Sequence, residues 1–133
     1  AQLNGFSDIC SFECVNAFDV LKKWVKEGRR FDTVMLDPPA FTKSRANIQK
    51  AVTGYKEINL RGMKLLKPGG FLVTASCTNL VPPDMFLKTI EAAAKDAKKQ
   101  IRQVTWQTQA ADHPIVWNVP NTQYLKFLIV EVN

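Results

Sequence analysis

The chain has 133 residues, of which 46% are hydrophobic and 23% charged, so it can bury the core of one domain. No apolar run approaches the ~20 residues that a membrane span needs, and the start lacks a secretory signal pattern. We therefore expect a cytoplasmic protein that does not associate with membranes. The net charge of +6 favours a polyanionic partner.

The cysteines and the histidine argue against two kinds of site. There are three cysteines, an odd number in a chain without a secretory signal, which argues against a disulfide framework. Cys10 and Cys14 have no second pair of ligands, and His113 is the only histidine, so we expect no metal site.

The first half of the chain alternates short apolar strands with amphipathic helices, the pattern of an α/β fold with a mainly parallel sheet. The predicted elements are a helix end capped by Gly5, a strand at 12–15, a helix at 18–27, a strand at 32–37 and a helix at 47–66. The strand at 32–37 is a continuous apolar stretch bounded by acids. We expect both of its faces to be buried.

The second half continues the alternation. Its predicted elements are a buried strand at 71–76, a helix at 84–98, a strand at 101–108, a loop at 110–122 and a last strand at 124–132. The turn Pro68-Gly69-Gly70 precedes the first of these strands, and Pro82-Pro83 introduces the helix.

Chemically notable residues follow three of the predicted strands. They are Asn16, Asp37-Pro38-Pro39 and Ser76-Cys77-Thr78. Ligands of open α/β sheets bind beyond the carboxyl ends of the strands, so these residues are expected to share one crevice.

Two of these features have a plain structural explanation beside a functional one. The prolines of Asp37-Pro38-Pro39 fix the backbone and leave its carbonyls free to hold a base, although the strand could simply end there. Cys77 could be a small core residue, or a thiolate that adds to an electron-poor ring. Its position at the same edge as Asp37 favours the second interpretation.

An ordered set of motifs resembles the large-subunit ribosomal RNA cytosine-5 methyltransferases, a class I, S-adenosylmethionine-dependent family. The motifs, in chain order, are Leu36-Asp37-Pro38-Pro39-Ala40-Phe41, Gly54-Tyr55-Lys56-Glu57-Ile58-Asn59, Leu65-Leu66-Lys67-Pro68-Gly69-Gly70, Ser76-Cys77-Thr78, Ala110-Ala111-Asp112-His113-Pro114 and Tyr124-Leu125-Lys126. The resemblance covers essentially the whole chain. It implies a Rossmann-like fold whose last strand is antiparallel.

The resemblance also implies an activity, rRNA processing by methyl transfer from S-adenosylmethionine to carbon 5 of cytosine. Cys77 would be the nucleophile that attacks carbon 6, and Asp37 would orient the base and contact the cofactor together with Pro38. Asn16 stands where the family usually has an aspartate near the cofactor's adenine, and an amide can also bond an adenine edge.

Further residues are candidates for the RNA side of the site: Pro39, Phe41, Lys43, Tyr55 and Asn59. Tyr55 and Asn59 are four residues apart and so share a helix face. A structural face explains them equally well, and a local turn explains Asp112-His113-Pro114.

The family's glycine-rich cofactor turn and ribose-binding acid are absent from these 133 residues. We therefore expect residues 1–133 to be the C-terminal portion of a methyltransferase domain, without the N-terminal RNA-binding domain and inactive alone. The family's first two strands would lie beside the strand at 32–37. Their absence would leave an apolar edge that could pair two copies into a homodimer.

Two other functions remain open. An amino-group methyltransferase acting on adenine N6 or cytosine N4 would need no nucleophilic cysteine, although such enzymes usually place an aromatic directly after the two prolines, where this chain has Ala40. A non-catalytic fragment would at most bind RNA.

Overall fold

The computed structural model describes residues 1–133, which form three α-helices, three short 3-10 helices and one four-stranded sheet. The helices are α1 (Ala17–Lys26), α2 (Ile48–Lys64) and α3 (Pro83–Ala97), and the strands are β1 (Phe31–Leu36), β2 (Leu66–Cys77), β3 (Ile101–Gln107) and β4 (Leu125–Val132). None of the helices has the length and apolar character required to cross a membrane.

The sheet has the strand order β1-β2-β4-β3. β1 and β2 run parallel, whereas β4 lies antiparallel to both of its neighbours, β2 and β3. Three strands therefore share one direction and the last strand opposes them. This arrangement confirms the predicted α/β fold with an antiparallel last strand.

One face of the sheet carries the hydrophobic core. Leu36, Leu72, Leu128 and Val130 lie on this face and belong to a cluster that includes buried side chains from all three helices. Helix α2 approaches the sheet closely at Gly62, where an added Cβ would lie 3.0 Å from Leu36 Cδ1 and 3.1 Å from Leu72 Cδ1. A larger residue at position 62 would therefore press on both leucine side chains.

The opposite face of the sheet is not covered by a helix. On this face Met35 is 70% exposed and Phe71 is 40% exposed. Val73 and Ala75 are buried, but they do not belong to the main core cluster. The prediction that both faces of β1 are buried is therefore wrong. Its apolar run has the length and composition of a central strand, but β1 is an edge strand with one open face.

The N-terminal segment departs from prediction in one respect. A short 3-10 helix, Gln2–Asn4, ends at Gly5 in the left-handed conformation (φ 69°), as the cap predicts. The strand predicted at 12–15 does not form, and Phe12 and Val15 are exposed. A strand needs a neighbour to pair its backbone, and β1 pairs only with β2.

β2 begins five residues earlier than predicted. Phe31 N–H donates to Leu65 O over 2.8 Å, and Phe31 pairs with Leu66 before an irregularity in the register. The turn residues Pro68-Gly69-Gly70 are consequently part of the strand instead of preceding it. An added Cβ at Gly70 would lie 2.9 Å from Asp32 O, so only glycine allows this close approach.

Candidate active site

The carboxyl ends of β1 and β2 lie at one edge of the sheet, together with the start of the antiparallel β4. This edge brings most of the predicted residues into the same region. A cleft of about 400 Å³ is lined by ten residues, among them Asn16, Asp37, Pro38, Pro39 and Phe41. Asn16 and the Asp37 turn thus meet in a real concavity, although the strand predicted before Asn16 is absent.

Asn16 has a structural task in addition to its place in the cleft. Its Oδ1 accepts hydrogen bonds from Phe18 N at 2.9 Å and Asp19 N at 3.4 Å, which makes it the N-cap of α1. The amide nitrogen Nδ2 makes no hydrogen bond within the chain. Asn16 can therefore donate one to a ligand in the cleft while it holds the helix.

The Asp37-Pro38-Pro39 turn exposes the carboxylate and anchors the backbone beneath it. Asp37 and Pro39 are exposed, whereas Pro38 is buried. Phe41 follows and packs on Tyr55 with ring centroids 4.6 Å apart and on Phe18 at 5.8 Å. Phe41 thus forms a half-buried wall of the cleft, fixed by two other rings.

Cys77 occupies the last position of β2, where it pairs with Leu125 of β4. Its side chain is exposed, and alternation along the strand places it on the face of Val73 and Ala75. Cys77 does not line the cleft that contains Asp37. Asp37 and Cys77, the two predicted catalytic residues, therefore both lie at the carboxyl ends of the parallel strands, but they do not line the same pocket.

Tyr55 and Asn59 are wholly buried on the inner face of α2. Asn59 Nδ2 donates to Tyr55 O over 2.8 Å, so the predicted pairing on one helix face is present. The ring of Tyr55 also packs edge-on against Phe86 of α3. Neither side chain is accessible for stacking against RNA at the surface.

The Tyr55 hydroxyl belongs to a group of buried polar atoms without hydrogen-bond partners. The others between α2 and β2 are Asn59 Oδ1, Thr74 Oγ1 and Ser76 Oγ. Burial raises the pKa of the Tyr55 hydroxyl above its ordinary value, and nearby Cys77 and Asp37 act in the same direction.

Lys43 lies in an exposed loop whose shape is set by its neighbours. Thr42 is buried, and its Oγ1 accepts from Ser44 N at 3.0 Å and donates to Ser44 O at 2.7 Å. This local turn presents Lys43 to solvent just beyond the cleft residues.

Asp112 and His113 are both exposed, and Asp112 Oδ1 lies 3.1 Å from His113 Nδ1. The hydrogen bond between these side chains lowers the pKa of the Asp112 carboxyl.

The sequence interpretation missed one functional candidate, Lys126. Lys126 is 3% exposed. Its Nζ donates hydrogen bonds to Thr78 O and to Tyr124 O, the latter over 2.8 Å. Burial lowers the pKa of its ammonium group to about 8. The signal was available, because Lys126 has the same parity in β4 as the core residues Leu128 and Val130.

Named bacterial methyltransferases are similar to this chain over nearly its full length. It is 40% identical over 131 residues to ribosomal RNA large subunit methyltransferase I of Alteromonas mediterranea, and equally so to the protein of that name from Shewanella denitrificans. In both cases the match covers 98% of this chain and 33% of the relative. The chain is similar to one segment of these methyltransferases.

Solved structures show the same fold. A structure from Streptococcus mutans described as a SAM-dependent methyltransferase superposes with a TM-score of 0.73 at 19% identity, covering 88% of this chain and 29% of that one. A methyltransferase homologue from Pyrococcus horikoshii gives a TM-score of 0.59 at 16% identity, covering 88% and 43%. No protein-family model matches the chain.

The predicted resemblance to class I methyltransferases is confirmed by these relatives. The chain spans about a third of the length of the curated methyltransferases that it matches. The aligned segment contains the cleft and the Cys77 edge, so the candidate site lies within the part of the molecule that the resemblance covers.

Proposed function

We propose that this chain forms part of a SAM-dependent methyltransferase domain that methylates carbon 5 of cytosine in ribosomal RNA. The observation that carries the proposal is an exposed thiol, Cys77, at the strand edge that also holds Asp37, in a chain 40% identical to named rRNA methyltransferases. The proposal includes the expectation that residues outside 1–133 complete the cofactor site.

Cys77 is accessible to a substrate. It is exposed, so a base can reach it, and Lys126 Nζ donates to the carbonyl of the next residue, Thr78. Cys10 and Cys14 are also exposed but lie in the N-terminal segment away from the sheet. Position at the strand edge therefore distinguishes Cys77 from the other two cysteines.

The chemistry explains why a thiol is required. Carbon 5 of cytosine is a weak nucleophile, and addition of the Cys77 thiolate at carbon 6 turns the ring into an enamine. Bound S-adenosylmethionine would supply the methyl group for carbon 5 and would leave as S-adenosylhomocysteine. Removal of the proton from carbon 5 returns an electron pair that expels the thiolate and restores the ring.

Asp37 and the two prolines would hold the base during these steps. The exposed carboxylate accepts hydrogen bonds, and the prolines leave their backbone carbonyls available as rigid acceptors for the exocyclic amino group. Pro39 and Phe41 add apolar surface on the same side of the cleft. Lys43 would meet the RNA backbone from the adjacent exposed loop.

The cleft fits the adenine end of the cofactor. Asn16 offers the free Nδ2 donor to a ring nitrogen, and Phe18, Met35 and Ile58 line apolar walls of the same cleft. An aspartate at position 16 would instead accept from the adenine amino group. The residues present thus fit one part of S-adenosylmethionine, with Asp37 and Pro38 at the boundary to the substrate.

The test is removal of the thiol in the complete encoded protein. Cys77→Ala should abolish methylation while cofactor affinity is kept, because the thiol acts only in the chemical step. Cys10→Ala and Cys14→Ala are matched controls that should retain activity. RNA carrying 5-fluorocytosine should become covalently attached to wild-type protein, since fluorine blocks the final proton removal, and not to Cys77→Ala.

A second candidate is favoured by one observation, namely that Cys77 does not line the Asp37 cleft. An amino-group methyltransferase would use Asp37, Pro38 and Pro39 alone to orient an adenine or cytosine amine. Near-normal methylation by Cys77→Ala would contradict the covalent mechanism and support this alternative. Asp37→Asn should then be the more damaging substitution.

A further inference from the structure

A second concavity lies beside the loop that follows Cys77. It has a volume of about 430 Å³ and is formed by the loop after β2, the start of α3 and the segment preceding β4. Its polar lining consists of Arg45, Asn79, Asn121, Gln123 and Lys126, and no acidic residue lines it. We call this concavity the Lys126 pocket.

Lys126 is a buried cation without an acidic partner. Its Nζ bonds only the carbonyl oxygens of Thr78 and Tyr124, and no carboxylate lies within ion-pair distance. Burying an unpaired charge is unfavourable, so such groups are normally paired with an anion. The depressed pKa of Lys126 has the same cause, namely burial.

The walls of the Lys126 pocket are held in place by the chain itself. Asn79 Nδ2 donates to Asn121 Oδ1 over 2.6 Å, which joins the loop after β2 to the loop before β4. Pro82, Pro83 and Pro120 restrict the backbone of the same walls. The pocket therefore needs little ordering when a ligand binds.

The donor set of the Lys126 pocket suits a phosphate group. The ammonium of Lys126 is buried at the pocket, and the exposed guanidinium of Arg45 lies at its wall. Asn121 Nδ2 and Gln123 add neutral donors, and the lack of carboxylates removes repulsion of an anion. A neutral sugar would leave the buried cation unpaired.

We propose that the Lys126 pocket binds a backbone phosphate of the RNA strand beside the nucleotide that Cys77 attacks. The inference rests on the proposed function for the identity of the strand. The link is Thr78, whose carbonyl is held by Lys126 and which follows Cys77 directly. A phosphate bound at Lys126 would thus fix the strand relative to the thiol.

The experiment measures affinity for a single-stranded oligoribonucleotide of the rRNA target at several salt concentrations, using the complete encoded protein. Arg45→Gln and Lys126→Met should each weaken binding about tenfold at low salt. Each should also reduce the slope of log affinity against log salt by about 0.7, the value for one lost phosphate contact on a single strand. Lys26→Gln, an exposed lysine at the far end of α1, is the matched control and should change neither quantity.

The outcomes separate this inference from the proposed function. Arg45 is exposed, so Arg45→Gln tests the pocket even if Lys126→Met does not fold. An unchanged salt slope in Arg45→Gln, or a wild-type protein that binds no RNA, overturns the inference. Reduced slopes together with normal methylation by Cys77→Ala would uphold the pocket and refute the cytosine-5 mechanism.

Discussion

The two faces of the sheet differ sharply although the same strands form both. On the helix-covered face Leu72, Leu128 and Val130 are almost fully buried and share one cluster with α1, α2 and α3. On the open face Met35 is 70% exposed and Phe71 is 40% exposed. Apolar composition is similar on both, so composition alone does not show which face is packed.

The difference between the two faces bears on the proposal that residues outside 1–133 complete the domain. An exposed apolar face and an unpaired edge at β1 are both unfavourable in water and favour association. We propose that residues outside 1–133 cover the open face and pair with β1 in the complete protein. The candidate site lies at the carboxyl ends of β1 and β2, next to both faces of the sheet.

The largest expected effect is a contrast in the free energy of unfolding between the faces. Leu72→Ala should destabilise the chain by about 2–5 kcal/mol, because it leaves a cavity under α2. Met35→Ala should change stability by about 0.5 kcal/mol or less, since most of its side chain is already in water. Urea unfolding followed by circular dichroism measures both.

Repeating that measurement on the complete encoded protein sharpens the contrast. If further residues cover the open face, Met35→Ala should there cost about as much as a core substitution. An equally small effect in both proteins would contradict the proposed cover over β1.

The next effect concerns association of the isolated chain. The unpaired β1 edge and the open face should drive self-association, most simply of two copies across a two-fold axis. Met35→Lys should weaken it by placing a charge on the open face, whereas Lys26→Gln should not. Sedimentation equilibrium gives the association constants, and a wild-type chain that stays monomeric at high concentration would refute the expectation.

The sequence predicted the elements well where one periodicity dominated. Helices α1, α2 and α3 lie within about two residues of the predicted bounds, because their apolar residues recur at helical spacing and glycine or proline marks their ends. The prediction of a strand at 12–15 was wrong for a different reason. A strand depends on a partner, and no local pattern reveals whether that partner is present.

The candidate site was predictable only in part. Strand direction correctly placed Asp37 and Cys77 at one end of the sheet, whereas Asn16 reaches the cleft as the N-cap of α1. The sequence could not show that Cys77 lies outside the cleft of the other two. That separation depends on which way the side chain faces at the end of β2. Lys126 was missed because a lysine in a strand is ordinarily assumed to face solvent.

Lys126 supplies a smaller, pH-dependent effect on the covered face. The pKa of its ammonium is about 8 in the folded chain, below its ordinary value of 10.5. Between these pH values the unfolded chain binds more protons, so stability should rise from about pH 8 toward pH 10. Below pH 8 the buried charge opposes folding fully.

The check is the pH dependence of urea unfolding over that interval. Wild-type chain should gain stability as the pH rises, and Lys126→Met should lack this gain. Lys26→Gln is again the control, because Lys26 is exposed and lies at the far end of α1. A rise of equal size in all three proteins would assign the effect to other groups.

The smallest expected effect is at Tyr55, on the covered face. By geometry, the Tyr55 hydroxyl and Ser76 Oγ are both buried without a hydrogen-bond partner. Tyr55→Phe keeps the ring that packs on Phe41 and removes an unsatisfied polar group, so stability should change by less than about 1 kcal/mol or increase slightly. Tyr55→Ala, which removes the ring as well, should cost about 3–5 kcal/mol. A loss above about 2 kcal/mol in Tyr55→Phe would instead mean that a water or Ser76 satisfies the hydroxyl.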